Sequence, residues 1–241
     1  MISLPDCILM IFELINRNQI AKISVMPFEY KHLQYQVLDV QNLLDLQRSA
    51  DLAIKIARNA NRGHFDFIVI KMPSTVESGN GKEQHFEGKM IYEVLKLTGC
   101  PVVSITKWPV RRIFRNILQP VDPCINLIER YEQILPIVKV FNANIHLLLV
   151  NNASGHELNK TCQELLELSK EYFFQFNIHV KSKIINHLNK PDTILAYASI
   201  IGADLISNGT GHCDLSGSDL SDKTWDSLIY RSDIPLFNYY G

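Results

Sequence analysis

The second half of the chain alternates between short apolar runs and longer segments of helical periodicity, and this alternation restricts the fold more than any other feature. It predicts five strands separated by four helices, and the first strand is the run Ile117 to Asp122, Ile-Leu-Gln-Pro-Val-Asp. Strands joined through helices pair in parallel, and a parallel sheet is buried on both faces. We therefore expect an α/β domain in which the loop after Asp122 opens at the carboxyl edge of the sheet, where such folds bind ligands.

The other predicted elements of this half follow from the same periodicity. Strands are expected at residues 145–150, 178–185, 204–207 and 235–239, helices at about 125–141, 156–176, 191–201 and 223–231, and a loop at 208–221.

The first half is less regular. The apolar residues from Ile8 to Ile15 fall mostly at helical spacing and predict an amphipathic helix. With that stretch read as helix, no strand precedes the first helix, and we expect a sheet that lacks its first strand. The remaining predictions are strands at 20–28, 33–40, 65–72 and 102–105, helices at 49–60 and 90–95, and an exposed loop at 74–87.

A weak internal repeat links the two halves. Residues 65–69 align with 203–207, and residues 99–103 align with 233–237, at offsets of 138 and 134 residues. Two copies of one module explain this alignment, and the arginine-bearing segment from Trp108 to Asn116 is the predicted linker. We therefore predict two domains, at residues 1–110 and 116–241.

Composition excludes several classes of function. The net charge is −1, so no overall field would attract nucleic acid or an anionic membrane. The five cysteines include no Cys-x-x-Cys pair, which favours reduced thiols in a cytoplasm over disulfides or a zinc site. The apolar stretch near the N-terminus is too short to span a bilayer, so a cytoplasmic protein without membrane contact is expected.

Four motifs of the second half, in their order and spacing, resemble the universal stress protein family in its tandem form. They are Asn-Ile-Leu-Gln-Pro-Val-Asp at 116–122, Asn-Ile-His-Leu-Leu-Leu-Val at 144–150, Gly-Ala-Asp-Leu-Ile-Ser-Asn-Gly-Thr-Gly at 202–211 and Ser-Asp-Ile-Pro-Leu-Phe at 232–237. The first half matches only from about Asp51 to Lys107.

The resemblance implies two Rossmann-like domains of the adenine nucleotide alpha hydrolase type, with parallel sheets flanked by helices and the first domain incomplete. It also implies a homodimer or an intramolecular pseudo-dimer. Members that bind ATP place a carboxylate at the end of the first strand, and a Gly-x2-Gly-x9-Gly-[Ser/Thr] loop after the fourth strand holds ribose and phosphates. Glycines let the backbone approach an anion, and the start of the next helix adds positive partial charge.

Carried over to this chain, the resemblance implies an adenine-nucleotide site in the second half. Asp122 matches the carboxylate and Gly209 the first glycine, whereas the second glycine position holds His212 and the final Gly-Ser pair falls on Asp222 and Lys223. Asp222 would place a negative charge where phosphates should lie. The candidate site residues are Pro120, Val121, Asp122, Val150, Asn208, Gly209, Gly211, His212 and Lys223.

In the first half, the equivalent glycine positions hold Lys71, Ser74 and the pair Gly88-Lys89, so we expect no adenine pocket there.

Each of these residues also has an ordinary structural interpretation. Asp122 could simply cap the following helix. The run His212-Cys213-Asp214 lacks a second ligand cluster and is read as a loop rather than a metal site. His146, inside an apolar strand, is read as a hydrogen-bonded sheet residue rather than a base.

Three functions remain open on the sequence. The first is a non-enzymatic stress-response binding or regulatory module with a degraded nucleotide site and an unidentified protein partner. The second is an adenine-nucleotide-binding protein, with ATP or another adenine nucleotide in the second domain and slow hydrolysis at most. The third is a structural role in which an exposed last strand, Pro235 to Tyr239, pairs with another copy.

Overall fold

The structure is a computed structural model in which the chain divides into two compact units. The first unit comprises residues 1–108 and 238–240, and the second comprises residues 109–237 and 241. The residues that the structure describes are 8–13, 34–35, 53–54, 56–58, 60, 67–71, 84–105, 114–121, 127–151, 156–210, 227–229 and 231–240.

The described strands of the first unit form a parallel sheet in the order β2-β1-β3-β4. Ile68, Ile70 and Val102 are fully buried in it. The elements are β1 (Ile8–Glu13), β2 (Gln34–Tyr35), β3 (Phe67–Lys71), α1 (Gln84–Thr98) and β4 (Val102–Ile105). The described residues between 53 and 60 are helical.

The prediction of a helix from Ile8 to Ile15 is wrong. Ile8 to Glu13 form β1, which pairs in parallel with β3 from Leu9 opposite Phe67 to Glu13 opposite Lys71, and residues 14 and 15 lie outside the described residues. A continuous apolar run is compatible with either a buried parallel strand or a buried helix, and periodicity alone does not separate them. The expectation of a missing first strand fails with it, because β1 takes that place beside β3.

Three further boundaries in this unit differ from the prediction or cannot be compared with it. The predicted loop at 74–87 is too long, because α1 begins at Gln84. The strand predicted at 33–40 is described only as β2. The strand predicted at 20–28 lies outside the described residues.

The second unit follows the predicted alternation closely. Its strands lie in the order β9-β8-β5-β6-β7, and β5 pairs in parallel with both β6 and β8. The elements are β5 (Asn116–Val121), α2 (Leu127–Phe141), β6 (Asn144–Asn151), α3 (His156–Phe174), β7 (Val180–Asn186), α4 (Lys190–Ile201), β8 (Leu205–Thr210) and β9 (Leu236–Tyr240). Residues 227–229 and 231 are helical, and β9 crosses the boundary between the units at residue 237.

Burial explains why β5 and β6 occupy the centre of this sheet. Residues 117–121 and 145–151 are all buried, whereas β7 alternates between half-buried and exposed positions, as an edge strand does. Helix α2 covers the sheet with Ile134, Ile137 and Phe141 at helical spacing, and the Tyr131 hydroxyl donates to Ser169 Oγ of α3 at 2.6 Å. The helices α2 and α3 are therefore neighbours.

The last strand is not an exposed edge. Leu236, Phe237, Asn238 and Tyr239 are all at most 2% exposed, and the Asn238 amide donates to the Val102 carbonyl at 3.0 Å. An already buried strand cannot offer its edge to a second copy, so the third functional hypothesis loses its premise.

The aligned repeat positions make the same backbone hydrogen bond in each unit. The Ile68 N–H donates to the Pro101 carbonyl at 2.8 Å, and the Ile206 N–H donates to the Pro235 carbonyl at 2.9 Å. The repeat pairs Ile68 with Ile206 and Pro101 with Pro235, so the two units share this detail of strand pairing.

Candidate functional site

The strand order of the second unit defines a switch point at the carboxyl end of β5. The chain proceeds from β5 to β6 and β7 in one direction, whereas β8 lies on the other side of β5. Connections leaving adjacent strands in opposite directions open a crevice at the carboxyl ends of the strands, where α/β folds bind ligands. The candidate site is therefore the carboxyl edge formed by β8, β5 and β6.

Five of the predicted site residues end these three strands. Pro120 and Val121 close β5, Val150 lies one residue before the end of β6, and Asn208 and Gly209 lie near the end of β8. All five are buried. The prediction that Asn208 and Gly209 lie in a loop is wrong, because β8 continues to Thr210.

Asp122, Gly211, His212 and Lys223 lie outside the described residues. Their roles stay predictions, as does the reading of His212-Cys213-Asp214 as a loop. Among the residues that the structure does describe, no group of histidine, cysteine and acidic side chains could hold a metal ion.

Arg130 is the member of this site that the sequence interpretation missed. It lies in the first turn of α2, is 0% exposed, and donates from Nη2 to the Gly209 carbonyl at 3.0 Å. Gly209 is the residue that the resemblance aligns with the first glycine of the nucleotide loop. The helix thus brings a positive charge to the end of β8, beside the switch point.

One signal for Arg130 was present in the sequence. Arg130 occupies the same stripe of α2 as Ile134, Ile137 and Phe141, at offsets of four, seven and eleven residues. An amphipathic helix keeps this stripe apolar, so a charged residue on it is either misplaced or functional. The burial of Arg130 depends on Gly209, 79 residues away, which no local pattern reveals.

The guanidinium of Arg130 is incompletely paired. Its Nε and Nη1 atoms are buried without a hydrogen-bond partner, and none of the ion pairs between described residues includes it. Arginine carries several N–H donors in a planar fork and stays charged in proteins. A buried cation of this kind is costly unless an anion approaches it.

Gln119 adds a second buried polar group to β5. It is 1% exposed, its Nε2 donates to the Pro120 carbonyl at 2.9 Å, and its Oε1 has no partner among the described residues. A carboxamide oxygen in this situation can accept a hydrogen bond from an amino group.

His146 lies in β6, as predicted, but its ring is poorly paired. The Nδ1 atom is buried without a partner in the described part of the chain, which departs from the expected hydrogen-bonded role. Burial lowers the pKa of His146 below its ordinary value, and the proximity of Lys181 and His179 lowers that pKa further. These surroundings therefore favour the neutral imidazole over the charged one.

Within the described residues, no helix is both long enough and apolar enough to cross a lipid bilayer.

Comparisons with known proteins find similarity in structure. No protein-family model and no curated protein sequence matches the chain. A universal stress protein from Archaeoglobus fulgidus DSM 4304 superimposes with a TM-score of 0.57 and 18% identity, over 87% of this chain and 70% of that one. A protein from Pseudomonas aeruginosa UCBPP-PA14, provisionally assigned as a universal stress protein, gives a TM-score of 0.52 and 14% identity, over 98% of this chain and 93% of that one.

A third structure, an Archaeoglobus fulgidus universal stress protein in complex with dAMP, covers 52% of this chain and 98% of its own, with a TM-score of 0.43 and 14% identity. The two longer matches confirm at the level of the fold what the sequence motifs predicted. This chain has the α/β fold of the universal stress proteins.

Proposed function

We propose that the chain is a non-enzymatic binding module of the universal stress type, which binds an adenine nucleotide at the carboxyl edge of β5 and β8 and regulates a partner protein. The supporting observation is the position of five predicted nucleotide-site residues at the ends of three adjacent strands, at the switch point of the sheet. The dAMP complex belongs to a protein that matches only about half of this chain, so the proposal depends on the geometry of the site.

The altered glycine motif favours binding over hydrolysis. His212 replaces the second glycine, and Asp222 with Lys223 replaces the Gly-Ser pair that the resemblance assigns to the phosphates. His212 lacks the conformational freedom with which a glycine backbone approaches an anion, and Asp222 adds negative charge where a triphosphate would need positive charge. The alternative function, ATP binding with slow hydrolysis, requires the loop to hold a triphosphate despite Asp222.

Thermal unfolding with and without ligand tests the proposal. Adenosine, AMP or ATP with Mg²⁺, present at 100 times its dissociation constant, should stabilise the folded protein by about 2.7 kcal/mol. The variant Asp122→Ala should lose most of this gain. No stabilisation by any of the three ligands would contradict the proposal.

Asp204→Ala is the matched control. Asp204 Oδ2 accepts from the backbone N–H groups of Arg115 and Asn116, both at 3.0 Å, at the opposite end of the same strands. This variant should lower the stability of the free protein and leave the ligand-induced gain unchanged. An equal loss of ligand response in both variants would show that Asp122 acts through folding alone.

Phosphate release from ATP separates the two functions. We expect none above the background of the Asp122→Ala variant. Turnover that depends on Asp122 would favour the alternative.

We further propose that the first unit is a second copy of the same module, without a nucleotide site. The shared bonds from Ile68 to Pro101 and from Ile206 to Pro235 support the two-copy interpretation. Whether copies associate as a homodimer or the halves act as a pseudo-dimer is decided by light scattering coupled to size-exclusion chromatography. A mass of twice 27.6 kDa would indicate the homodimer.

A further inference from the structure

Arg130 is a charged side chain that is buried in the described part of the second unit. It is completely buried, at a position of α2 whose other stripe members are apolar. Its Nη2 atom donates to the Gly209 carbonyl, while Nε and Nη1 have no hydrogen-bond partner among the residues that the structure describes. A carbonyl dipole does not neutralise a full charge, so this arrangement calls for an anion.

The position of Arg130 indicates whether this anion is a group of the chain or a bound ligand. The contact with Gly209 fixes the guanidinium at the carboxyl end of β8, next to the end of β5, where the switch point opens. No carboxylate among the described residues pairs with it. The two unpaired atoms belong to a planar guanidinium, whose N–H groups are donors suited to phosphate oxygens.

We propose that Arg130 receives the phosphate of the bound ligand and that the ligand is a nucleoside monophosphate. This inference rests on the proposed function, since it assigns the anionic part of the same site.

Charge counting favours one phosphate over three. Between residues 209 and 223, the segment that the resemblance assigns to ribose and phosphates carries three aspartates and one lysine. Such a segment repels a triphosphate, which brings several negative charges. A single guanidinium leaves less negative charge uncompensated beside one phosphate group than beside three.

The test compares adenosine, AMP, ATP and inorganic phosphate by titration calorimetry on the full chain. The variant is Arg130→Met, whose apolar side chain has a similar length, and the matched control is Arg231→Met. Arg231 lies in the same unit but on the surface, paired with Asp192, and both are about half exposed. Arg130→Lys keeps the charge without the fork.

For the wild type we expect AMP to bind about tenfold or more tightly than adenosine, the effect of one to two charge-assisted hydrogen bonds. Arg130→Met should abolish this preference and leave adenosine affinity unchanged. Arg130→Lys should restore part of it, and Arg231→Met should behave as the wild type. ATP should bind more weakly than AMP.

The outcomes separate this inference from the proposed function. If AMP binds but its advantage over adenosine survives in Arg130→Met, the inference fails and the proposed function stands. If neither adenosine nor AMP binds while inorganic phosphate binds only when Arg130 is present, the proposed function fails and the anion site stands without the nucleoside. If no ligand response depends on Arg130, the inference is overturned. An equal loss of stability in Asp122→Asn and Arg130→Met would then show that Arg130 pairs with Asp122 within the chain.

Discussion

Replacing Arg130 by methionine should make the ligand-free protein more stable. A buried ion without a partner destabilises the folded state by several kcal/mol, because its lost hydration is not returned. The substitution removes that penalty, and the flexible methionine side chain can fill the space beside Ile134 and Ile137.

The substitution also removes a hydrogen bond, and the free energy of that bond reduces the gain in stability. The hydrogen bond from Nη2 to the Gly209 carbonyl disappears, and a bond to a charged group contributes about 1.5–3 kcal/mol. Exchanges of buried ionic groups for well-packed apolar ones are commonly neutral or stabilising by about 1–4 kcal/mol. We therefore expect a net increase of about 1–3 kcal/mol in the free energy of unfolding of the free protein.

The assay is chemical unfolding in guanidinium chloride, without phosphate in the buffer and after removal of any co-purifying nucleotide. The surface control Arg231→Met should change the unfolding free energy by less than about 1 kcal/mol, the range of exposed ion pairs. Saturating AMP should narrow the gap between wild type and Arg130→Met. With tenfold weaker binding in the variant and ligand at 100 times the wild-type dissociation constant, the gap closes by about 1.3 kcal/mol.

A clear loss of stability in ligand-free Arg130→Met would refute this reasoning. It would mean that the guanidinium is already paired by a group of the chain itself, so that removing it leaves an opposite charge buried.

Three smaller predictions follow from other contacts. The pKa of His146 is lower in the folded protein than in the unfolded chain, so the unfolded chain binds this proton at a higher pH. The free energy of unfolding should therefore fall as the pH drops below about 6.5. Each unit of difference between the two pKa values contributes about 1.4 kcal/mol to this fall. Unfolding curves at several pH values should show this slope flattened in His146→Leu and kept in the exposed control His187→Leu. A double-mutant cycle of Tyr131→Phe and Ser169→Ala should give a coupling of about 1 kcal/mol for their 2.6 Å hydrogen bond, and additive costs would exclude it. Gly202, with φ of 59° at the end of α4, should cost about 1 kcal/mol when replaced by alanine and less when replaced by asparagine, and equal thermal midpoints would contradict the strain.

The sequence predicted the second unit well because each of its strands is bounded by turn signals. The run Ile117 to Val121 ends at Asp122 and is followed by a helical pattern, so length and flanks identify a strand. The equally apolar run Ile8 to Glu13 follows Pro5-Asp6, which also suits a helix start, and its spacing is compatible with a helix. Only its pairing with β3, more than fifty residues later in the chain, distinguishes the two.

The candidate site was predicted in the same uneven way. Residues at strand ends, such as Val121, Val150 and Gly209, can be found from a one-dimensional pattern once the strands are known. For Arg130, the charge on the apolar stripe of α2 marks the residue as unusual but does not reveal what it contacts. Its role depends on a contact made across the sheet with Gly209.

The charged groups at the two ends of the central strands differ in how completely they are hydrogen-bonded. At the amino end, the half-buried Asp204 carboxylate accepts two backbone N–H groups, both at 3.0 Å, and so satisfies the start of β5. At the carboxyl end, Arg130 is more deeply buried, and yet two of its nitrogens have no partner within the described ranges of the chain. Local rules of polar satisfaction are obeyed where a group only supports the fold and are broken where function requires it. Unlike the neutral groups without a partner in this sheet, such as His146 Nδ1, Arg130 carries a full charge, and we infer that its incomplete pairing belongs to the proposed anion site at the carboxyl edge.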